Sequence, residues 1–207
     1  MPQKSSPDLD VFYPIVPDVT WMRRIVPLGV RTVQLRLKDV SSDEARRQIA
    51  ECLDITRRHG CQLIVNDYWQ HAIEEGANFV HLGQEDLAAA DLKALKAAGM
   101  RLGISTHDEA ELEMALRADP DYVALGPVYE TKLKAMKWAP QGLDRVRQWR
   151  QRIGDLPLVA IGGITPDLAT GVVAAGASSV AVITDFFTHP APEQRVRAWI
   201  GWARPPQ

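Results

Sequence analysis

Three polar residues, Gln34, Arg36 and Lys38, alternate with Val33, Leu35 and Leu37 in the segment Thr32–Lys38. In an extended strand successive side chains point to opposite faces, so one face is apolar and the other carries an amide and two cations. The apolar face must meet packed elements, which sends the cations into a shared polar space where unpaired charge is costly. An anion offsets that cost. Phosphate or diphosphate suits a guanidinium fork beside a lysine point charge. The alternative is a structural ion pair with a neighbouring strand, for which Asp67 is a candidate partner.

Carboxylates recur in two further clusters, Asn66-Asp67 and His81-Leu82-Gly83-Gln84-Glu85-Asp86. Oxygens from Asp67 and Asp86, completed by water and phosphate oxygens, describe a magnesium site better than a zinc site, since no cysteine and no second suitable histidine joins them. The competing reading makes both aspartates helix caps, Asp86 for a helix starting near Leu87 and Asp67 for one beginning at Tyr68. His81 and His107 read as hydrogen-bonded core residues rather than catalysts. A fourth cluster runs from Gly126 through Thr131-Lys132-Leu133-Lys134 into a stretch with little helical pattern that ends at Gly142. Loops of that length are uncommon in compact domains, so this one reads as functional and able to close over an anion, against a solvated tether kept soluble by Lys132, Lys134 and Lys137.

The elements that must position these residues are short apolar runs, each followed by a longer segment of helical spacing. The strand candidates are Val11–Val16, Thr32–Leu37, Gln62–Asn66, Asn78–Leu82, Arg101–Ser105, Tyr122–Leu125, Leu158–Ile161 and Val180–Ile183. Capping boxes at Ser41–Glu44 and Thr106–Glu109, a Thr165-Pro166 start, and glycines 60, 76, 99 and 176 before strand candidates mark helices between them. This alternation predicts an α/β fold, a single (β/α)8 TIM barrel over residues 1–207 with residues 1–10 as a flexible N-terminus. An open doubly wound sheet is less well supported, because no Gly-x-Gly-x-x-Gly turn follows the first strand. In a barrel, Ile161-Gly162-Gly163-Ile164 and Ile183-Thr184 follow the last two strands, where backbone N–H groups commonly hold a monophosphate.

Composition excludes several classes. Of 207 residues, 24 are basic and 26 acidic, a net charge of −2 that argues against a nucleic-acid partner. With 46% hydrophobic residues the chain is globular rather than disordered. Cys52 and Cys61 are too few for a disulfide scaffold and read as buried packing residues in a reducing compartment. The most apolar stretch, Gly171–Ile183, falls short of the roughly 18 uninterrupted apolar residues of a membrane span, and the polar N-terminus does not look like a targeting signal. A cytoplasmic protein with no membrane partner is expected. The C-terminal segment Trp199–Trp202 reads as an exposed tail.

From the first strand candidate to the eighth, the sequence resembles the thiamine phosphate synthase family. The resemblance rests on Val33-Gln34-Leu35-Arg36-Leu37-Lys38, Val65-Asn66-Asp67, His81–Asp86, Gly103-Ile104-Ser105-Thr106-His107, Gly126-Pro127-Val128-Tyr129 and Ala160-Ile161-Gly162-Gly163-Ile164, in the family's order. It implies a transferase acting on small molecules: the ring nitrogen of a (carboxy)thiazole phosphate displaces diphosphate from 4-amino-2-methyl-5-(diphosphooxymethyl)pyrimidine to give thiamine phosphate and, with the carboxylated thiazole, carbon dioxide. By the same resemblance Gln34, Arg36, Lys38, Asn66, Ser105 and Lys134 hold the pyrimidine diphosphate. Arg36, Lys38, Ser105 and Lys134 stand nearest the chemistry, and Asp67 and Asp86 match the family's Mg2+ ligands. Thr131, Lys132, Gly163, Ile183 and Thr184 match the thiazole phosphate positions. Two departures stand out: Leu133 occupies the place of a threonine in the family's Thr-x-Thr-Lys loop, and Thr184 replaces a serine. A thiazole tautomerase-like isomerase and a non-catalytic phosphate-binding barrel are the rival functions, and a homo-oligomer is left open.

Overall fold

The computed structural model describes residues 9–131 and 138–204. Eight parallel strands close into a barrel in chain order: β1 (Phe12–Val16), β2 (Thr32–Leu35), β3 (Gln62–Asn66), β4 (Phe79–Leu82), β5 (Arg101–Thr106), β6 (Tyr122–Leu125), β7 (Leu158–Ile161) and β8 (Ser179–Val182), with β1 paired to both β2 and β8. The helices lie outside. They are α1 (Val19–Ile25), α2 (Ser42–Arg58), α3 (Trp69–Glu74), α4 (Gln84–Ala89), α5 (Leu92–Ala97), α6 (Glu109–Arg117), α7 (Gly142–Ile153), α8 (Pro166–Ala174), α9 (Thr184–Phe187) and α10 (Pro192–Ala203).

The TIM barrel expected from the alternation is the fold observed, and β3, β6 and β7 have the expected bounds. The clearest boundary correction is β2, which ends at Leu35 rather than Leu37. Arg36 N–H still bonds the Val16 carbonyl at 2.8 Å, but Asp39 then takes a left-handed φ of 53° and the chain leaves the ladder at the mouth. β1 and β4 start one residue later than expected, β5 runs one residue further to Thr106, and β8 is shifted back by one residue to Ser179–Val182.

Helix starts follow local chemistry, with corrections. Ser41 Oγ accepts from Glu44 N–H at 3.3 Å, as the capping box requires. Thr106, by contrast, is still in β5: its hydroxyl donates to the Ala124 carbonyl and accepts from Trp149 Nε1, and Asp108 caps α6 instead by accepting from Glu111 N–H at 2.9 Å. Pro166 opens α8 as expected, but the Thr165 side chain makes no capping bond. Gly60, Gly76, Gly99 and Gly176 all take positive φ, the left-handed conformation expected of residues that end helices.

The core has two layers, as strand alternation demands. Val33, Leu35 and Leu37, with Val65, Val80, Val123 and Val180, face the helices, whereas Tyr13, Ile15, Ile64, Phe79, Tyr122, Ala124, Val159 and Ala181 fill the barrel. Cys52 is buried in the outer layer and Cys61 is half-buried, and burial pushes both thiols up to about 12. The segment Trp199–Trp202 is not an exposed tail: Trp199 is fully buried in α10, stacked on Phe12 at 5.2 Å, so the last helix seals the junction of β1 and β8. Among the described residues no helix is long and apolar enough to cross a membrane.

Candidate active site

The mouth of the barrel lies at the C-terminal strand ends. Gln34 points into the barrel from β2 and is buried, Arg36 is half-buried at the rim and Lys38 is exposed beyond it, while Val33, Leu35 and Leu37 pack outward. The alternation read from the sequence holds for Gln34, which bonds the interior Tyr13, and Arg36 lies within electrostatic reach of Asp67 and His81. Among the described residues the Arg36 side chain makes no ion pair, so the structural pairing with Asp67 is not formed; the guanidinium acts on that carboxylate only through space.

Asn66 and Asp67 end β3, where Asp67 N–H bonds the His81 carbonyl at 3.0 Å and Asp67 takes a φ of 61°. Left-handed backbone is several-fold enriched in aspartate and asparagine but still uncommon, and here it turns the carboxylate toward the first turn of α4. Asp86 stands in that turn. The cap of α4 is Gly83, not Asp86, and α3 starts at Trp69 without side-chain capping, so neither aspartate serves as the helix cap considered above. Their carboxyl groups instead lie close enough to act on one another, and Asn66 Nδ2 donates to Asp67. Burial first, then the neighbouring Asp86 carboxyl, push the Asp67 carboxyl up to about 6, against the opposing pull of Arg36 and the Gly83 N–H.

Two carboxylates this close are short of positive charge. Among the described residues no third histidine, cysteine or acidic side chain completes an all-protein cage. Mg2+ fits such a donor set, because it is usually held by one or two carboxylates with water and substrate phosphate oxygens filling the remaining places. A further oxygen, Gln84 Oε1, is buried beside this site without a hydrogen-bond partner, while its Nε2 donates to the Ser105 carbonyl at 2.6 Å.

Ser105, near the end of β5, is half-buried and held twice. Besides Gln84 on its carbonyl, His81 Nε2 lies 2.8 Å from its Oγ. From His81 a run of hydrogen bonds crosses the barrel interior: Nδ1 to Tyr122 OH at 2.7 Å, Tyr122 OH to Tyr13 OH at 3.0 Å, and Gln34 Nε2 to Tyr13 OH at 2.8 Å. Burial, reinforced by Arg36, lowers the His81 imidazole to about 3, and burial raises both phenols. The reading of His81 as a hydrogen-bonded core residue is thus observed, but its partners tie two mouth residues together. Tyr13 and Tyr122 escaped the sequence reading. The available signal was two tyrosines at inward-facing positions of apolar strands, where a phenol demands a partner.

On the opposite rim Gly162 and Gly163 take φ of 103° and 66°, and the loop after β6 lies against them through Val128 N–H to Ile161 O and Tyr129 N–H to Gly162 O. A Cβ on Gly163 would meet the Glu130 carbonyl at 2.3 Å, so only glycine permits this approach. Ile183 and Thr184 are half-buried at the start of α9, with Ile183 packed on the barrel interior, and Thr131 is half-buried beyond the β6 loop. Lys132 and Lys134 lie outside the described residues.

Paired carboxylates, an inward amide and a rim arginine gather at the mouth of a closed barrel, the end at which barrel enzymes place their chemistry. A family model described as thiamine monophosphate synthase matches residues 12–186, and the chain belongs to that family. It is 55% identical over 197 residues to a thiamine-phosphate synthase of Rhizobium etli, covering 95% of this chain and 97% of that one. To a thiamine-phosphate synthase of Salmonella enteritidis it is 48% identical over 172 residues, covering 83% and 82%. A thiamine phosphate pyrophosphorylase from Pyrococcus furiosus superposes with a TM-score of 0.81 at 25% identity, over 93% of this chain and 94% of that one. The protein is accordingly a transferase.

Proposed function

We propose that the protein joins 4-amino-2-methyl-5-(diphosphooxymethyl)pyrimidine to a (carboxy)thiazole phosphate, releasing diphosphate and forming thiamine phosphate, with the carboxyl group of the carboxylated thiazole leaving as carbon dioxide. The observation that carries this reading is the Asp67–Asp86 pair opening on the same mouth as Arg36, an arrangement short of one divalent cation and suited to a diphosphate. An isomerase acting on the thiazole alone has no diphosphate to hold and no use for that pair.

In this reading the bond from the pyrimidine methylene carbon to the diphosphate oxygen breaks, its electron pair leaving with the diphosphate, and the thiazole nitrogen forms the new bond to the methylene. Arg36, Lys38 and Lys134 accept the charge that builds on the leaving group, electrostatic stabilisation that needs no general base. Asp67 and Asp86 would hold Mg2+, which would supply further positive charge to the leaving diphosphate. Gln34, Asn66 and Ser105 orient the pyrimidine diphosphate. Thr131, Lys132, Gly163, Ile183 and Thr184 seat the thiazole phosphate so that its nitrogen faces the methylene. The electron-rich aminopyrimidine favours ionisation before capture, which makes positioning and water exclusion the main work of the protein.

The test is diphosphate release from the pyrimidine diphosphate with and without thiazole phosphate, in Mg2+ and in excess chelator. Release that needs both, with thiamine phosphate as product, supports the reading. Thiazole binding without release overturns it in favour of an isomerase or a binding barrel.

A further inference from the structure

The interior hydrogen-bond run has a direction, and its direction follows from one residue. Gln34 Nε2 donates to Tyr13 OH at 2.8 Å. An amide nitrogen only donates, so Tyr13 accepts there, and because its hydroxyl is buried away from water its single proton needs Tyr122 OH, 3.0 Å away, as partner. Tyr122 then spends its proton on His81 Nδ1 at 2.7 Å. A neutral imidazole that accepts at Nδ1 carries its proton on Nε2, and that nitrogen faces Ser105 Oγ at 2.8 Å. The serine oxygen therefore accepts from His81, and its own proton is left to point away, toward the mouth. With the Gln34 amide turned over, every bond would reverse and Ser105 would spend its proton on His81.

We propose that Gln34, Tyr13, Tyr122 and His81 form a polarised chain that holds His81 in the Nε2–H tautomer and makes Ser105 a hydrogen-bond donor for an anionic oxygen. His81 and the two tyrosines are positioning residues, acting through Ser105; that the anion is a diphosphate rests on the transfer reading above. Phosphate oxygens carry only lone pairs, so a serine whose proton is already committed to His81 offers them nothing. The arrangement costs no net charge in the barrel, since burial keeps His81 neutral and both phenols protonated. Gln84, on the Ser105 carbonyl, fixes the same residue from its backbone side.

The tautomer is read directly by two-bond 15N–1H spectra of the full chain labelled at its five histidines, the His81 signal being the one lost in His81→Gln. A neutral Nε2–H imidazole is expected at neutral pH; an Nδ1–H tautomer or an imidazolium overturns the proposal. A second measurement compares His81→Gln, whose amide nitrogen reaches the place of Nε2, with His81→Asn, which reaches Tyr122 but not Ser105. His81→Asn is expected to weaken binding of inorganic diphosphate with Mg2+, and to raise KM for the pyrimidine diphosphate, by about ten- to a hundredfold, the worth of one hydrogen bond to a charged group. KM for thiazole phosphate should change less than twofold, and His81→Gln should recover most of the loss. Equal behaviour of the two variants, both folded, would reduce His81 to a packing residue. Should the wild type bind diphosphate without turnover, the transfer reading fails while the tautomer and the two variants still decide the polarity.

Discussion

The Tyr122 ring occupies the space that any side chain on Gly103 would need: a Cβ at that position would stand 2.1 Å from Tyr122 Cζ, across the β5–β6 pairing that sets the two residues side by side. The phenol reaches His81 and Tyr13 only because its neighbour in the ladder has no side chain. Gly103→Ala should cost about 3 kcal/mol through overpacking, lowering Tm by roughly 6 to 12 °C, and should reduce activity at temperatures where the variant is fully folded. Thermal unfolding with steady-state kinetics at 20 °C checks both; an unchanged Tm would mean that the ring moves aside freely.

The carboxylate pair predicts a pH dependence. Asp67 titrates at about 6 in the folded chain, above its ordinary 3.8. A carboxyl raised on folding contributes stability that is complete below about pH 4 and is lost as pH rises through about 6. Without divalent cations, Tm should therefore fall across that window. Mg2+ should restore it above pH 6 and have no effect at pH 4, where protons and the cation compete. Asp67→Asn should abolish the Mg2+ response and lower turnover by orders of magnitude, while asparagine tolerates the left-handed φ of 61°. Scans with and without Mg2+ at pH 4, 6 and 8 decide this.

Arg36 makes no ion pair among the described residues and acts on Asp67 only through space, so its removal breaks no direct salt bridge. Arg36→Ala should change unfolding free energy by less than about 0.5 kcal/mol while cutting diphosphate release at least a hundredfold. Denaturant titration beside the release assay separates the two. Substantial destabilisation would assign Arg36 a structural task.

Asp185 links the short helix α9 to α10. Its side chain accepts two hydrogen bonds from Arg195, at 2.7 and 2.8 Å, and one from Trp199 Nε1 at 2.7 Å. Asp185→Ala removes all three and should cost about 3 kcal/mol. Because Ile183 and Thr184 immediately precede it, KM for thiazole phosphate should rise more than KM for the pyrimidine diphosphate. Equal changes in the two would place this junction outside the thiazole side.

How much of the molecule was legible beforehand follows from the range of the interactions involved. Residue order alone determined the barrel, because period-two runs separated by capped helical segments have one economical closure. The same alternation put Gln34, Arg36 and Lys38 on the face opposite Val33, Leu35 and Leu37, since side-chain direction along a strand is a local property. Local chemistry did less well at element ends. Thr106 and Asp86 both sit where a cap is plausible, yet Thr106 is committed to Ala124 and Trp149 from distant segments, and Asp86 turns toward Asp67.

Only the tertiary structure decided what the interior residues do. Tyr13, His81 and Tyr122 come from β1, β4 and β6, the tyrosines 109 positions apart in the chain, and neither tyrosine is marked out within its own strand. Barrel closure and the bare backbone of Gly103 bring their polar atoms within hydrogen-bond reach. Burial then removes water as an alternative partner, so each group must satisfy the next. The burial of Trp199 was decided the same way, by the ring of Phe12 at the opposite end of the sequence. Chemistry carried by one strand is written in that strand; chemistry shared among strands exists only once the barrel has closed.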